Sequence, residues 1–128
     1  MTENTRIRFL VLLSVPPEQM DATGDFIAER LTQRFGGVTR TAGAGLPVLT
    51  GYWADDGPAF KSDYDGEIHK ESVMALLLSV LPDDEHDAYT LIQNSIANAN
   101  VRFKLGIQHV HVETQVVKAH HFSVPTAS

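Results

Sequence analysis

Ile7-Arg8-Phe9-Leu10-Val11-Leu12-Leu13 is apolar at every position but one. A strand with one face in water alternates between apolar and polar residues, so this run reads as a central strand covered on both faces. Ser14-Val15-Pro16-Pro17-Glu18 closes it, and Pro17 and Glu18 suit a first helical turn. Met20, Thr23, Ile27, Leu31 and Phe35 then recur at three-to-four spacing until Gly36 of Phe35-Gly36-Gly37 supplies a C-terminal cap.

The same order returns in the second half. Glu67 to Leu81 is extended, with a nearly continuous apolar run from Val73 to Leu81. After Pro82, Asp83 or Asp84 caps a helix whose stripe is Ala88, Ile92, Ile96, Ala99 and Phe103, and Gly106 of Leu105-Gly106 ends it. Ile107 to about Lys118 alternates, with Val110, Val112 and Val116 on one face and His109, His111, Glu113 and Gln115 on the other. Between the two units, Val38 to Trp53 is extended but interrupted by Ala42-Gly43-Ala44-Gly45 and Pro47, which suggests a bulged or edge strand. Ala54 to Gly66 holds two Asp-Gly turns and reads as a long loop or protruding hairpin.

Strand-helix-strand-strand-helix-strand is the order of an α+β, ferredoxin-like βαββαβ sandwich, an antiparallel sheet with two helices on one face. The expected organisation is one such domain over 1–122 and a mobile tail over 123–128. Because both inner strands are apolar on both sides, the uncovered face would leave a large apolar patch in water. A homodimer is therefore expected, sheet against sheet or edge to edge.

Composition bounds the rest. At 128 residues and 43% hydrophobic content, the chain can bury a core unaided, and the absence of cysteine excludes disulfides, thiolate metal sites and thiol nucleophiles. A net charge of −6, with ten basic residues scattered along the chain, argues against nucleic acid as a partner. Ten of the sixteen acidic residues lie between Asp55 and Asp87, opposed there by Lys61 and Lys70 alone. No segment approaches the ~18 apolar residues of a membrane span, and the run after Arg6 and Arg8 leads to no Ala-x-Ala cleavage site. The expectation is a cytoplasmic protein with no membrane partner.

Phe35-Gly36-Gly37-Val38-Thr39, Gly51-Tyr52-Trp53, Asp65-Gly66-Glu67-Ile68-His69-Lys70-Glu71 and Gln108-His109-Val110 follow one another in an order that resembles a small uncharacterised bacterial family of α+β proteins. That family carries Phe-Gly-Gly-x-Thr, Gly-x-Trp and Asp-Gly-x4-Glu segments. The resemblance implies the ferredoxin-like fold and transfers no catalytic residue. At the level of fold alone, sensor modules of the PII and ACT types offer an analogy, since they bind effectors between subunits or beneath a loop corresponding to Ala54 to Gly66.

Three groups of residues are candidates for chemistry. His109, His111 and Glu113, at alternate positions of one strand, would share a face as ligands for a divalent metal, although same-face neighbours stand ~7 Å apart and a further ligand, Glu71 or His69, is a strand away. The competing reading is a polar or interfacial strand face, and no cofactor is otherwise expected. His69 and Glu71 are candidates for acid-base catalysis, because flanking Glu67 and Glu71 should favour the charged imidazole; exposed charges ahead of a buried strand explain the same residues. Tyr52, Trp53, Phe60 and Tyr64 gather around the long loop and would wall a pocket for a small apolar or planar ligand, or else anchor the loop or fill a dimer contact. Asp63-Tyr64-Asp65-Gly66 lacks the Gly and Glu spacing of a calcium loop, and Gly43-Ala44-Gly45 lacks the third glycine of a dinucleotide fingerprint.

The leading functional expectation is a small dimeric binding or regulatory module, not an enzyme, holding a small ligand or protein partner near residues 52–66. The alternatives are a metal-dependent or acid-base enzyme using the histidines, and a structural subunit docking a larger protein through its exposed sheet face.

Overall fold

The computed structural model describes residues 4–41 and 49–126, so the Gly43 and Pro47 interruption lies outside the described residues. It is an α+β architecture of a five-stranded antiparallel sheet and two helices. The elements are β1 (Thr5–Ser14), α1 (Met20–Phe35), β2 (Thr39–Arg40), β3 (Leu49–Ala54), β4 (Ile68–Val80), α2 (Glu85–Phe103) and β5 (Val110–Lys118). No helix among the described residues is long and apolar enough to cross a membrane.

β1 lies between β4 and β5. The other edge of β4 is shared by β2, opposite Leu76 and Leu77, and by β3, opposite Ile68 to Val73. Where the sequence suggests one bulged strand, two short ones therefore follow each other along the same edge.

The core forms on one face of the sheet. Ile7, Phe9, Val11 and Leu13 of β1 and Met74, Leu76, Leu78 and Val80 of β4 are buried together with Ile27 and Leu31 of α1 and Ile92 and Ile96 of α2. This corrects the expectation that β1 is covered on both faces. Its burial alternates, with Leu10 and Leu12 only half-buried, because the two helices pack on the odd-numbered side. Val116, grouped with the core by its alternation, is 69% exposed on an edge strand.

The helix ends show two kinds of stop. Gly36 ends α1 at φ 95°, where a side chain would be strained, and its N–H donates to the Thr32 carbonyl at 2.8 Å. In α2 the C-cap is Lys104, left-handed at φ 52°, and Gly106, two residues on, is also at positive φ, 74°. Asn100 explains how a lysine is held there. Its amide donates to the Ile107 carbonyl at 3.0 Å and accepts from the Ile107 N–H at 2.9 Å, pinning the chain just beyond the turn. Asn100→Ala leaves both Ile107 backbone groups without this partner and should cost about 1–3 kcal/mol in urea denaturation. Loss of less than a few tenths would show the turn to be held by the backbone alone.

Arg40 ties β2 to α1. Its guanidinium meets Asp21 at 2.9 Å and Asp25 at 2.8 Å, one helical turn apart. The stem crosses the helix at Gly24, where a Cβ would come within 2.6 Å of Arg40 Nη1 and 2.8 Å of Cδ. Gly24 thus makes room for the Arg40 side chain in its present position, and a larger residue would push that side chain aside.

Candidate functional site

Residues on the even-numbered side of β1 share the second face of the sheet with their cross-strand partners. The register brings Leu10 beside Leu77 and Glu113, Leu12 beside Ala75 and His111, Leu49 beside Val73, and Trp53 beside His69. The result is an apolar field bounded by charge. Leu77 is 40% exposed, Leu49 43% and Trp53 37%, although all three project from strands rather than loops. Gly51 shapes the field locally: a Cβ there would lie 2.6 Å from Val73 Cγ2 and 3.3 Å from the Trp53 ring, so the missing side chain leaves room for the indole.

Hollows are found on both sides of the sheet among the described residues. One, of about 250 Å³, is on this open face and is lined by Arg8, Leu10, Leu77, Glu113 and Gln115 among others, with Arg8 donating to the Gln115 side chain. The other, about 500 Å³, is a shallow groove between α1 and α2 that includes Arg30, Arg34, Asp87 and Asn94.

The four loop aromatics do not converge. Neighbouring strand residues point to opposite faces, so Trp53 lies on the open face while Tyr52 lies on the other, with Lys70 Nζ 5.8 Å from its ring centroid. Phe60 is fully exposed, and the Tyr64 hydroxyl accepts from the Lys61 N–H at 3.1 Å within the loop. The loop is organised instead by Asp56. Its carboxylate accepts from Lys61 Nζ at 2.9 Å, from the Gly66 N–H at 3.0 Å and from the Asp65 N–H at 3.2 Å. The Lys61 bond and those two amides hold the Asp56 carboxyl below the usual carboxylate range, against the opposing effect of burial. Gly66 is needed for this closure, since a Cβ would meet Asp56 Oδ1 at 2.6 Å.

At the base of the β3–β4 hairpin, His69 is hydrogen-bonded to Asp55, and Glu67 stands beside them. One ligand atom from each of the three lies within 4.8 Å of the others, close enough to share a proton or a cation. The sequence reading chose His69 and its flanking glutamates but missed Asp55. The signal was the hairpin register, which joins Asp55 N–H to the Glu67 carbonyl at 2.9 Å and so carries the Asp55 side chain across to His69. The Asp55 hydrogen bond raises the His69 pKa, partial burial opposes it, and the fields of Asp55, Glu67 and Glu71 add to the rise. Glu71, the second acid-base candidate, acts on His69 through its field.

His109, His111 and Glu113 are divided. β5 begins at Val110, so His109 precedes the strand, while His111 Nε2 and Glu113 form a 2.7 Å pair on the open face. His120 lies after the strand and meets the Asn4 side chain at 3.3 Å.

No protein-family model and no curated protein matches the chain. Among solved structures, it is similar to a phage SAM lyase in complex with S-methyl-5'-thioadenosine, at 12% identity over 92% of this chain and 93% of that one, with a TM-score of 0.48.

Raising the pKa of His69 in the fold fixes the direction of its pH effect. The stability it adds is complete below the unfolded histidine value of ~6.5 and disappears as pH rises through the higher folded value. His69→Gln should therefore lower the urea midpoint under mildly acidic conditions and match the parent under alkaline ones. An equal loss at both extremes would assign the effect to packing against Trp53.

Proposed function

We propose that this chain is a homodimeric binding module of ferredoxin-like topology, working through its open sheet face, rather than an enzyme. The strand order β2 or β3, β4, β1, β5, antiparallel throughout, supports the topology. The observation that carries the binding reading is the apolar field of Leu10, Leu12, Leu49, Leu77 and Trp53 on regular strands. Apolar area of this kind is worth ~25 cal/mol per Å² when removed from water, and single domains generally avoid leaving it contiguous. Of the four aromatic residues around the loop, Trp53 belongs to this surface, so the single tryptophan reports on whatever covers it.

Sedimentation equilibrium over the micromolar range, read alongside Trp53 emission, tests the reading. The expected result is a particle of twice the 14.1 kDa chain mass whose dissociation on dilution shifts the emission to the red. A monomer at every concentration, with unchanged emission, would remove the homodimer.

A further inference from the structure

We propose that the second copy lies face to face on the open sheet with its strands antiparallel to the first, so that Arg8 of each subunit meets Glu71 of the other; this rests on the homodimer reading above. The open face has a direction. Taken along β1, its rows are Arg8 with Gln115, then Leu10 with Leu77, then Leu12 with Ala75, then Val73 with Leu49. Glu71, opposite Gly51, is one same-face row beyond Val73, and His69 with Trp53 is the next. Arg8 therefore marks one end and Glu71 the other, with the leucines between, while Glu113, on β5 in the Leu10 row, is paired with His111.

For aligned strands there are two ways to stack such a face on itself, because an isologous contact needs a two-fold axis lying between the sheets. An axis along the strands sets Arg8 over the Arg8 row of its partner and Glu71 over the Glu71 row. An axis across the strands reverses the rows. Arg8 and Glu71 stand equally far from the Leu12 row, about 13 Å on either side at four residues of strand rise. With the axis on Leu12, each Arg8 then reaches the row of Glu71 of the partner subunit, and Leu77 comes over Val73 of the partner subunit. The contact places opposite charges together twice where the other arrangement places like charges together, a difference that costs the wrong pairing several kcal/mol in general.

Size and reach agree. Strands β3, β4, β1 and β5 at about 4.8 Å spacing make a face about 19 Å wide, and the rows from Arg8 to Glu71 make it about 27 Å long. That plan area of about 510 Å² per partner lies below the ~800 Å² of a standard interface, and doubled it reaches the ~1,000 Å² total of the smallest specific ones. Packed sheets stand ~10 Å apart, a gap that an arginine and a glutamate projecting from opposite sides can span. Arg8 hydrogen-bonds the neutral Gln115, and Glu71 is exposed, so the pairing breaks no ion pair seen among the described residues.

Arg8→Glu and Glu71→Arg test the arrangement by sedimentation equilibrium. Each variant alone should weaken self-association about tenfold or more, since each creates two like-charge contacts per dimer. Mixing the two variants should restore dimerisation to within about threefold of the parent, because both contacts of the mixed dimer are then attractive. Circular dichroism of each variant when dilute establishes that it is folded. Singles that dimerise like the parent, or weak singles that fail to recover on mixing, would overturn the antiparallel register while leaving the homodimer intact. A monomeric parent protein would instead overturn the reading on which the register rests.

Discussion

Phe9→Ala should lower the unfolding free energy by about 3–5 kcal/mol, the range for removing a large aromatic side chain from a core, whereas Leu10→Ala, one residue along the same strand, should cost the dilute monomer far less. Phe9 is 1% exposed within the cluster formed by β1, β4, α1 and α2. Leu10 is half-buried between Leu77 and Glu113 on the face that no helix covers. The contrast must be measured in dilute protein, because a partner that binds only the folded chain stabilises it by mass action. At high concentration, Leu10→Ala should become the more costly of the two relative to its own dilute value. Equal penalties at all concentrations would mean that something within the same chain covers the second face.

That pair of residues also marks where the sequence is legible and where it is not. The stripe of Met20, Ile27 and Leu31 and the stop at Gly36 are local, fixed by helical period and by one glycine dihedral, and both appear in the fold as read. The two apolar strands are equally clear as strands. Which face of β1 is buried is not written into Ile7 to Leu13, since every candidate position is apolar; the choice is made by the helices, which pack on the odd side. Lys104 in a left-handed conformation is unreadable for a similar reason, because the clamp that holds the turn comes from the side chain of Asn100.

The candidate site divides in the same way. Tyr52 and Trp53 are neighbours in sequence, but strand geometry sends them to opposite faces, so only the pairing of β3 with β4 separates a loop pocket from a face contact. His69 was recognisable as a perturbed histidine from its flanking glutamates, while Asp55, fourteen positions earlier, enters through the hairpin register. Arg8 and Leu77 carry no motif at all. Their place in the proposed contact arises when the register sets Arg8 one row from the leucines and Glu71 beyond them.

Leu77→Asp should convert the proposed dimer to a monomer, weakening association by more than about a hundredfold. Each leucine placed in a dry interface is worth about 1.5–3 kcal/mol, and the two-fold axis counts the loss twice. The substitution also brings a carboxylate into each half of the apolar field, where desolvation without a partner adds to the cost. A hundredfold corresponds to about 2.7 kcal/mol, a threshold passed when the lost contacts of both leucines combine with the desolvation of the two carboxylates. In the isolated chain the change is mild, because Leu77 is already 40% exposed and the aspartate can be hydrated. Val101 provides the control: it is 79% exposed on α2, away from the sheet face, and Val101→Asp should leave the mass unchanged. If Leu77→Asp remains a dimer while its Trp53 emission stays that of the parent, the contact runs elsewhere, and the unpaired edge of β5 becomes the surface to examine.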